Sequence, residues 1–303
     1  MNAEKKPQNV QRVCLVAAPW PLFNRPSIQI AVLKAYLNQH LPGVHIDAWH
    51  LFLFISERIG HRTYQALSRR TWLAESVYAA MLHPERAPVI EKWFCKFASR
   101  EPDLKRLDFT ELVATVQAVT DSLIQENHWQ GVDLAGFSVS LCQMTSSLYI
   151  MNAIKRLNPG LTIVAGGTTF SGPSARDFLD VFTDMDFIVL GEGEIPMKDV
   201  INCINQGREL DEIPGNVSRS RSKETPPRFI QMQDLEELPR PDYSDYFKAL
   251  ERSAPQNRFI TTLPIEASRG CWWMGCMFPL NWRDQNNSRQ LEKRDGCAFC
   301  NLN

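Results

Sequence analysis

Short apolar runs alternate with amphipathic stretches along the first two thirds of the chain. The apolar runs predict buried strands at Val13–Ala18, Asp133–Ser140, Leu161–Ala165 and Asp186–Leu190, with a weaker candidate at His45–Phe52. Helical patterns follow at Ser27–Leu41, Met144–Leu157 and Ala175–Phe182, and another helical pattern ends near Ile204. Strands followed by helices of this length predict right-handed βαβ crossovers and a mostly parallel sheet with helices on both faces.

The sequence pattern divides the chain into an α/β domain, a linker and the beginning of another domain. Residues 1–208 are predicted to form one α/β domain, within which residues 58–129 are helical and rich in tryptophan, without a strand pattern. Residues 209–257 are polar and proline-rich, which predicts a linker with at most one hairpin. Residues 258–303 begin with the apolar run Phe259–Ala267, which predicts a new strand leading into the last part of the sequence.

Small and polar residues follow the predicted strands. Gly166, Gly167, Thr168 and Thr169 come directly after one strand, and the segment GEGE from Gly191 follows the next. Ligands of parallel α/β sheets bind beyond the carboxyl ends of the strands, where glycine lets a ligand approach the backbone and threonine offers a hydroxyl. Glycines here also make ordinary tight turns. Neither loop matches a dinucleotide fingerprint or a P-loop, so nucleotide binding is not favoured.

Composition narrows the class of protein further. The formal net charge is −1, so no nucleic-acid or anionic-membrane partner is indicated. The first residues lack the apolar core of a secretory signal, and no window approaches the roughly 18 consecutive apolar residues of a membrane span. A cytoplasmic protein is therefore the expectation.

Four of the eight cysteines lie close together at the end of the sequence, at Cys271, Cys276, Cys297 and Cys300. Clustered cysteines in a cytoplasmic chain indicate metal or redox chemistry more often than disulfides. The spacing C-x4-C-x20-C-x2-C resembles a structural zinc site, and free thiols are a further alternative. The other cysteines are scattered through apolar surroundings, which is typical of buried, inert thiols.

An ordered set of motifs adds a family resemblance. The segments GFSVSLCQ, IVAGGTTFSG, FIVLGEGE, LEELPRPDYSDYF and EASRGCWW occur in this order over roughly residues 10–303. In order and spacing they resemble the cobalamin-binding class of radical S-adenosylmethionine (SAM) proteins. The likeness is closest to the radical SAM C-methyltransferases that mature ribosomally made peptides (RiPPs).

The resemblance implies a flavodoxin-like, Rossmann-type cobalamin domain followed by a radical SAM barrel, of which residues 258–303 are the incomplete start. In this class the corrin lies on the carboxyl ends of the strands, and its nucleotide tail reaches into the sheet. The candidate cobalamin contacts are then Ser138, Ser140, Gln143, Gly166, Gly167, Thr168, Gly191 and Glu192. The motif D-x-H-x-x-G, which supplies a histidine to cobalt in other cobalamin domains, is absent from the sequence, as the radical SAM methyltransferases lead us to expect.

The resemblance also implies a 4Fe–4S cluster held by three thiolates, with its open iron binding SAM. Cys297 and Cys300 fit the C-x2-C half of the motif, and Cys271 fits the first ligand, with Cys276 as an alternative. The gap between Cys271 and Cys297 departs from the family pattern and requires an insertion. Looping out such an insertion costs only about 0.6 kcal/mol for each doubling of its length. Zinc stays open as the alternative to the cluster.

The resemblance therefore implies that the chain is the cobalamin-binding N-terminal part of a cobalamin-dependent radical SAM methyltransferase. The expected substrate of that enzyme is a ribosomal peptide or natural-product precursor. A barrel needs roughly 200 residues or more, so we expect this chain alone to be inactive, with the barrel in a longer protein or in a separate barrel-containing chain. The alternatives are a non-catalytic cobalamin-binding module with a terminal four-cysteine zinc site, and a degenerate α/β domain that only docks to a partner.

Overall fold

A computed structural model of the chain describes residues 9–170, 175–208, 210, 213–219, 231–232, 234–252 and 259–269. The strands are β1 Arg12–Ala17, β2 His45–His50, β3 Leu134–Ser138, β4 Thr162–Gly166, β5 Phe187–Val189 and β6 Asn216–Ser218. The helices are α1 Ile28–His40, α2 Leu51–Ile59, α3 His61–Ser68, α4 Thr71–Leu82, α5 Ala87–Ala98, α6 Phe109–Glu126, α7 Met144–Leu157, α8 Ala175–Val181, α9 Glu194–Asn205 and α10 Ser244–Glu251. Among these described helices, none combines the length and apolarity required to span a bilayer.

The strands form one sheet in the order β2-β1-β3-β4-β5-β6, in which β6 alone is antiparallel to its neighbour. The predicted α/β fold with a mostly parallel sheet and flanking helices is confirmed. The weaker candidate at residues 45–52 is β2, although Leu51 and Phe52 already belong to α2. The chain leaves β1 toward β2 on one side and continues through β3, β4 and β5 on the other. The carboxyl ends of all five parallel strands therefore share one edge of the sheet, which we call the strand-end edge.

Both faces of the central strands are buried, as expected for parallel strands covered by helices. Side chains alternate along β1, so that Val13 and Leu15 join one apolar layer while Cys14 and Val16 join the other. Burial also disfavours the charged thiolate and raises the pKa of Cys14 well above its ordinary value. Cys14 is therefore a packing residue in the core.

Helices α3–α6 occupy the segment that the sequence predicts as helical. They pack as a layer beside α2 and α7, with Tyr64, Tyr78 and Phe94 fully buried in it. The hydroxyls of Tyr78 and Thr120 lie 2.8 Å apart and join α4 to α6. This layer is continuous with the core of the sheet.

Residues of the predicted linker also contribute to the fold. Strand β6 pairs with β5, and α10 packs against β2. The Lys34 ammonium in α1 lies 2.5 Å from the Asp245 carboxylate in α10, and this carboxylate accepts a hydrogen bond from the Ala48 amide at 2.9 Å. The contacts divide the chain into two units, with the division after Pro264. The boundary proposed at residue 208 stays a prediction.

The apolar run Phe259–Ala267 forms no strand within the described residues 259–269, contrary to expectation. Among the described residues of this run, only the Thr262 amide pairs with another described backbone segment, donating to the Asn24 carbonyl at 2.9 Å. Pro264 lacks an amide hydrogen and cannot continue a ladder in the same direction. The Phe259 ring packs against Phe23 with centroids 4.8 Å apart, so side-chain packing holds the beginning of this run.

Candidate functional site

The sheet has a topological switch point between β1 and β3, where open α/β sheets usually bind their ligands. In this protein the crevice above it is filled. Trp20, which follows β1, is only 1% exposed and packs against Tyr64 and Tyr78 at centroid distances of 5.2 and 6.0 Å. Since both tyrosines belong to the helical layer α3–α6, that layer closes the switch point.

A polar brace joins the loops after β1 and β3. The Gln143 side chain donates to the Ala18 carbonyl at 2.7 Å and accepts from the Ser140 hydroxyl at 2.5 Å and the Ser140 amide at 3.2 Å. Ser146 adds a hydrogen bond to the Pro19 carbonyl. Gln143 is 6% exposed, so its side chain lies inside the loop, whereas Ser140 is exposed. Of these two predicted contacts, only Ser140 is accessible to a ligand.

The first turn of α7 is capped from the helical layer. The Glu75 carboxylate accepts hydrogen bonds from the amides of Met144 and Thr145, both at 2.8 Å, and the Thr145 hydroxyl donates to the Glu75 carbonyl at 2.9 Å. Free amides at a helix start, together with the positive end of the helix dipole, usually form an anion site. Here an internal carboxylate already occupies these amides.

The loop after β4 is different, because it lies at the accessible part of the strand-end edge. Gly167 has a φ of +107°, and a Cβ atom at this position would lie 2.5 Å from the Val139 carbonyl oxygen. Glycine is therefore required for the loop to lie directly on the β3 loop. Gly167 and Thr168 are exposed, and Gly166 and Ser138 are half-buried partners in the register of β3 and β4.

Thr169 carries an unpaired polar group in this loop. Its backbone amide donates to the Val139 carbonyl at 3.3 Å, but its buried Oγ1 has no hydrogen-bond partner within the described part of the chain. A buried hydroxyl without a partner is unfavourable by about 1–3 kcal/mol and calls for an explanation. The sequence draws attention to this threonine only as part of the motif GGTT.

The loop after β5 completes the edge. Gly191 is exposed with a φ of +74°, and the half-buried Glu192 accepts a hydrogen bond from the Met232 amide at 2.7 Å. Register pairs connect Ser138 to Gly166 and Gly166 to Val189, so the loops after β3, β4 and β5 lie side by side. The structure thus brings the predicted loop residues to one edge, with Gln143 turned inward.

The predicted metal ligands Cys271, Cys276, Cys297 and Cys300 lie outside the described residues. Among the residues that the structure does describe, no group of three or more histidine, cysteine, aspartate or glutamate side chains could hold a metal ion. Of the scattered cysteines, Cys14 and Cys203 are buried and Cys142 is partly buried. Cys95, which the sequence also assigned to apolar surroundings, is exposed on α5.

Comparisons with known proteins place this architecture among solved folds. The radical SAM enzyme OxsB, described as cobalamin-dependent, matches with a TM-score of 0.52 and 18% identity, over 89% of this chain and 28% of that one. OxsB with aqua-cobalamin and SAM bound matches with a TM-score of 0.50 and 18% identity, over the same shares of the two chains. This chain shares the fold of the matched part of OxsB.

The sequence comparisons are more distant. No protein-family model matches the chain. An uncharacterized methyltransferase of Pyrococcus horikoshii is 26% identical over 175 residues, which are 53% of this chain and 36% of the relative. The chain therefore spans about a third of the length of this relative and about a quarter of OxsB.

Proposed function

We propose that this chain is the cobalamin-binding part of a cobalamin-dependent radical SAM enzyme. The observation that carries the proposal is the strand-end edge, where the β1–β3 crevice is closed by protein while the loops after β3, β4 and β5 present hydroxyls and exposed glycines. The shared fold with OxsB, a cobalamin-dependent radical SAM enzyme, and the distant methyltransferase relative support the same function.

The residues present fit cobalamin. Gly167 lets a ligand approach the backbone of the β4 loop, and the unpaired Thr169 hydroxyl offers a buried hydrogen bond to an amide or phosphate group. None of the six histidines, which are His40, His45, His50, His61, His83 and His128, lies in the loops after β3, β4 or β5. Cobalamin held here would have no protein imidazole from these loops on its cobalt.

Each loop has a separate task in this proposal. Ser138, Ser140 and Thr168 would hydrogen-bond amide groups at the accessible edge, and Gly166, Gly167 and Gly191 would let the corrin lie close to the backbone. Glu192, already held by the Met232 amide, would fix the far side of the site. Gln143 acts indirectly, because its brace to Ala18 sets the position of the Ser140 hydroxyl. When bound, cobalamin would supply a transferable methyl group on its cobalt.

The second half of the proposal concerns the terminal cysteines. We assign Cys271, Cys297 and Cys300, with Cys276 as the alternative first ligand, to a 4Fe–4S cluster that binds SAM. A methyltransferase acting on a ribosomal peptide or natural-product precursor is the finer proposal, and a precursor peptide or a separate barrel-containing chain is the implied partner. The finer proposal is supported by the motif resemblance and by the methyltransferase relative.

Reconstitution tests both halves together. The purified chain is incubated anaerobically with iron, sulfide and hydroxocobalamin, then desalted and assayed for iron, zinc and corrin. We expect retained corrin together with iron, and we expect iron to be lost in Cys297→Ala and Cys300→Ala. Cys95→Ala removes an exposed thiol on α5 and is the matched control. Zinc in place of iron would contradict the cluster, and a corrin-free protein would contradict the cobalamin site.

A further inference from the structure

Two strongly exposed large apolar side chains of the described residues belong to elements that begin or end near the strand-end edge. Trp72 in the first turn of α4 is 70% exposed, and Leu141 in the loop after β3 is 66% exposed. Neither belongs to the predicted site. Single exposed apolar residues are common on protein surfaces, so exposure alone does not indicate a role and the positions of these two residues decide it.

The position of Trp72 follows from the way α4 lies along α7. Glu75 bonds the amides of Met144 and Thr145 at the start of α7, and further along the Tyr78 ring lies 5.7 Å from the Tyr149 ring. The two helices therefore run in the same direction and both begin at the strand-end edge. Side chains on a helix incline toward its N-terminus, so Trp72 extends from the first turn of α4 beyond this edge.

Leu141 is presented to the same edge by a fixed loop. On either side of it, the Gln143 side chain accepts hydrogen bonds from the amide and hydroxyl of Ser140. The backbone amide of Gln143 also donates to the backbone carbonyl of Ser140 at 2.9 Å. Three residues later, Met144 receives the Glu75 cap. The Glu75 hydrogen bonds to the start of α7 therefore connect the helix that exposes Trp72 to the end of the loop that exposes Leu141.

We propose that Trp72 and Leu141 are corrin contacts, which cover the edge of the macrocycle when cobalamin binds at the loops after β3, β4 and β5. The inference rests on the proposed function. A corrin ring is broad and largely apolar around its conjugated core, so it needs an apolar contact beside the hydroxyls and glycines that serve its polar groups. An indole ring provides a large, rigid surface of this kind. The helical layer α3–α6 would then complete the cofactor site as well as close the switch point.

A pair of corrins separates contacts to the ring from contacts to the nucleotide tail. Hydroxocobalamin carries the tail, and dicyanocobinamide has the same corrin ring without it. Binding of each to the full chain is measured by equilibrium dialysis with absorbance detection. We expect Trp72→Ala to weaken the binding of both corrins by about tenfold, as the burial of one apolar side chain implies, and Trp72→Phe to recover most of the loss. We expect Leu141→Ser to act in the same direction with a smaller effect.

Trp93→Ala is the matched control, because Trp93 is also exposed but lies on α5, which packs against α4 and α6. We expect its affinities for both corrins to stay within about twofold of the wild type. Wild-type binding that is unchanged in Trp72→Ala and Leu141→Ser would overturn this inference and leave the proposed function standing. A wild-type chain that binds neither corrin would overturn the proposed function itself.

Discussion

The Glu75 carboxylate accepts a hydrogen bond from the Met144 amide at 2.8 Å, although the two residues are 69 positions apart in the sequence. This contact joins the helical layer to the start of α7 and removes the α7 amides from the groups available to a ligand. The buried Trp20 closes the part of the strand-end edge beside β1, whereas the loops after β3, β4 and β5 carry exposed residues. A ligand at this edge is therefore expected at the loops after β3, β4 and β5.

Removing the Glu75 cap should destabilise the chain. Glu75→Ala leaves the amides of Met144 and Thr145 without their acceptor, and we expect a loss of about 2 kcal/mol in the free energy of unfolding. Glu75→Gln keeps one acceptor oxygen and should lose about half as much. Urea denaturation measures both values. The exposed Glu85→Ala is the control, and an equal effect of Glu85→Ala and Glu75→Ala would contradict the cap.

Gly167→Ala tests the close approach of the β4 loop to Val139. The new Cβ would lie 2.5 Å from the Val139 carbonyl oxygen at a φ that disfavours alanine, so we expect a loss of about 2 kcal/mol or more. Gly166→Ala is milder, since its Cβ would lie 3.3 Å from the Val189 carbonyl oxygen. The midpoints of urea denaturation should therefore rank wild type, Gly166→Ala and Gly167→Ala in descending order. A different order would show that the loop is loosely packed.

Thr169→Val separates ligand binding from folding. Valine has nearly the shape of threonine and removes a buried hydroxyl that has no partner in the described part of the chain. We expect the free energy of unfolding without corrin to stay equal or rise by about 1 kcal/mol, while hydroxocobalamin affinity falls about tenfold. Thr110→Val on the surface of α6 is the control. A destabilised Thr169→Val with unchanged corrin affinity would assign the hydroxyl to the fold alone.

The buried His50 predicts a pH dependence of stability. His50 is 4% exposed, and burial is the main reason why its pKa falls from 6.5 to about 4. The negative charge of Asp245 raises this pKa, and the positive charge of Lys34 lowers it. The unfolded chain binds a proton near pH 6.5 that the folded chain accepts only near pH 4, so the contribution of His50 to stability is complete above pH 6.5 and is lost as the pH falls toward 4.

His50→Phe should therefore flatten the loss of unfolding free energy between pH 6.5 and 4, by about 3 kcal/mol over this window. The carboxylate that acts on this histidine is Asp245, and it titrates at a lower pH than this range. Burial opposes the charged form of Asp245, but hydrogen bonds from Lys34 and the Ala48 amide outweigh it and keep its pKa below 3.8. Urea denaturation at several pH values, with the exposed His83→Gln as control, measures the difference. An unchanged slope in His50→Phe would refute the assignment.

Much of the fold could be predicted from the sequence because parallel strands that are buried on both faces consist of short, continuous runs of apolar residues. Val13–Ala18 and Leu161–Ala165 correspond to β1 and β4 within a residue or two at each end. Strand β6 was not predicted as part of the sheet, since its pairing with β5 depends on contacts that a polar, proline-rich segment does not reveal. The prediction of a strand at Phe259–Ala267 was wrong, because an apolar run forms a strand only where a partner strand is available.

The candidate site was predicted at the level of loops rather than side chains. The sequence indicates that Gly167 and Gly191 follow strands, and the common edge of a parallel sheet brings them together. It does not indicate that Gln143 turns inward, or that Glu75 reaches the first turn of α7. Both depend on tertiary contacts between segments far apart in the chain. The same is true of Trp72, whose place beside the site follows from the packing of α4.

The binding of hydroxocobalamin by the wild-type chain is the decisive measurement for the proposed cobalamin site. The purified chain is dialysed against hydroxocobalamin, and the bound corrin is quantified from its absorbance, with Gly167→Ala measured in parallel. We expect one corrin per chain, an absorbance spectrum without the features of histidine ligation, and a marked loss of corrin in Gly167→Ala. A wild-type chain that passes through dialysis without corrin while remaining folded would contradict the proposed cobalamin site.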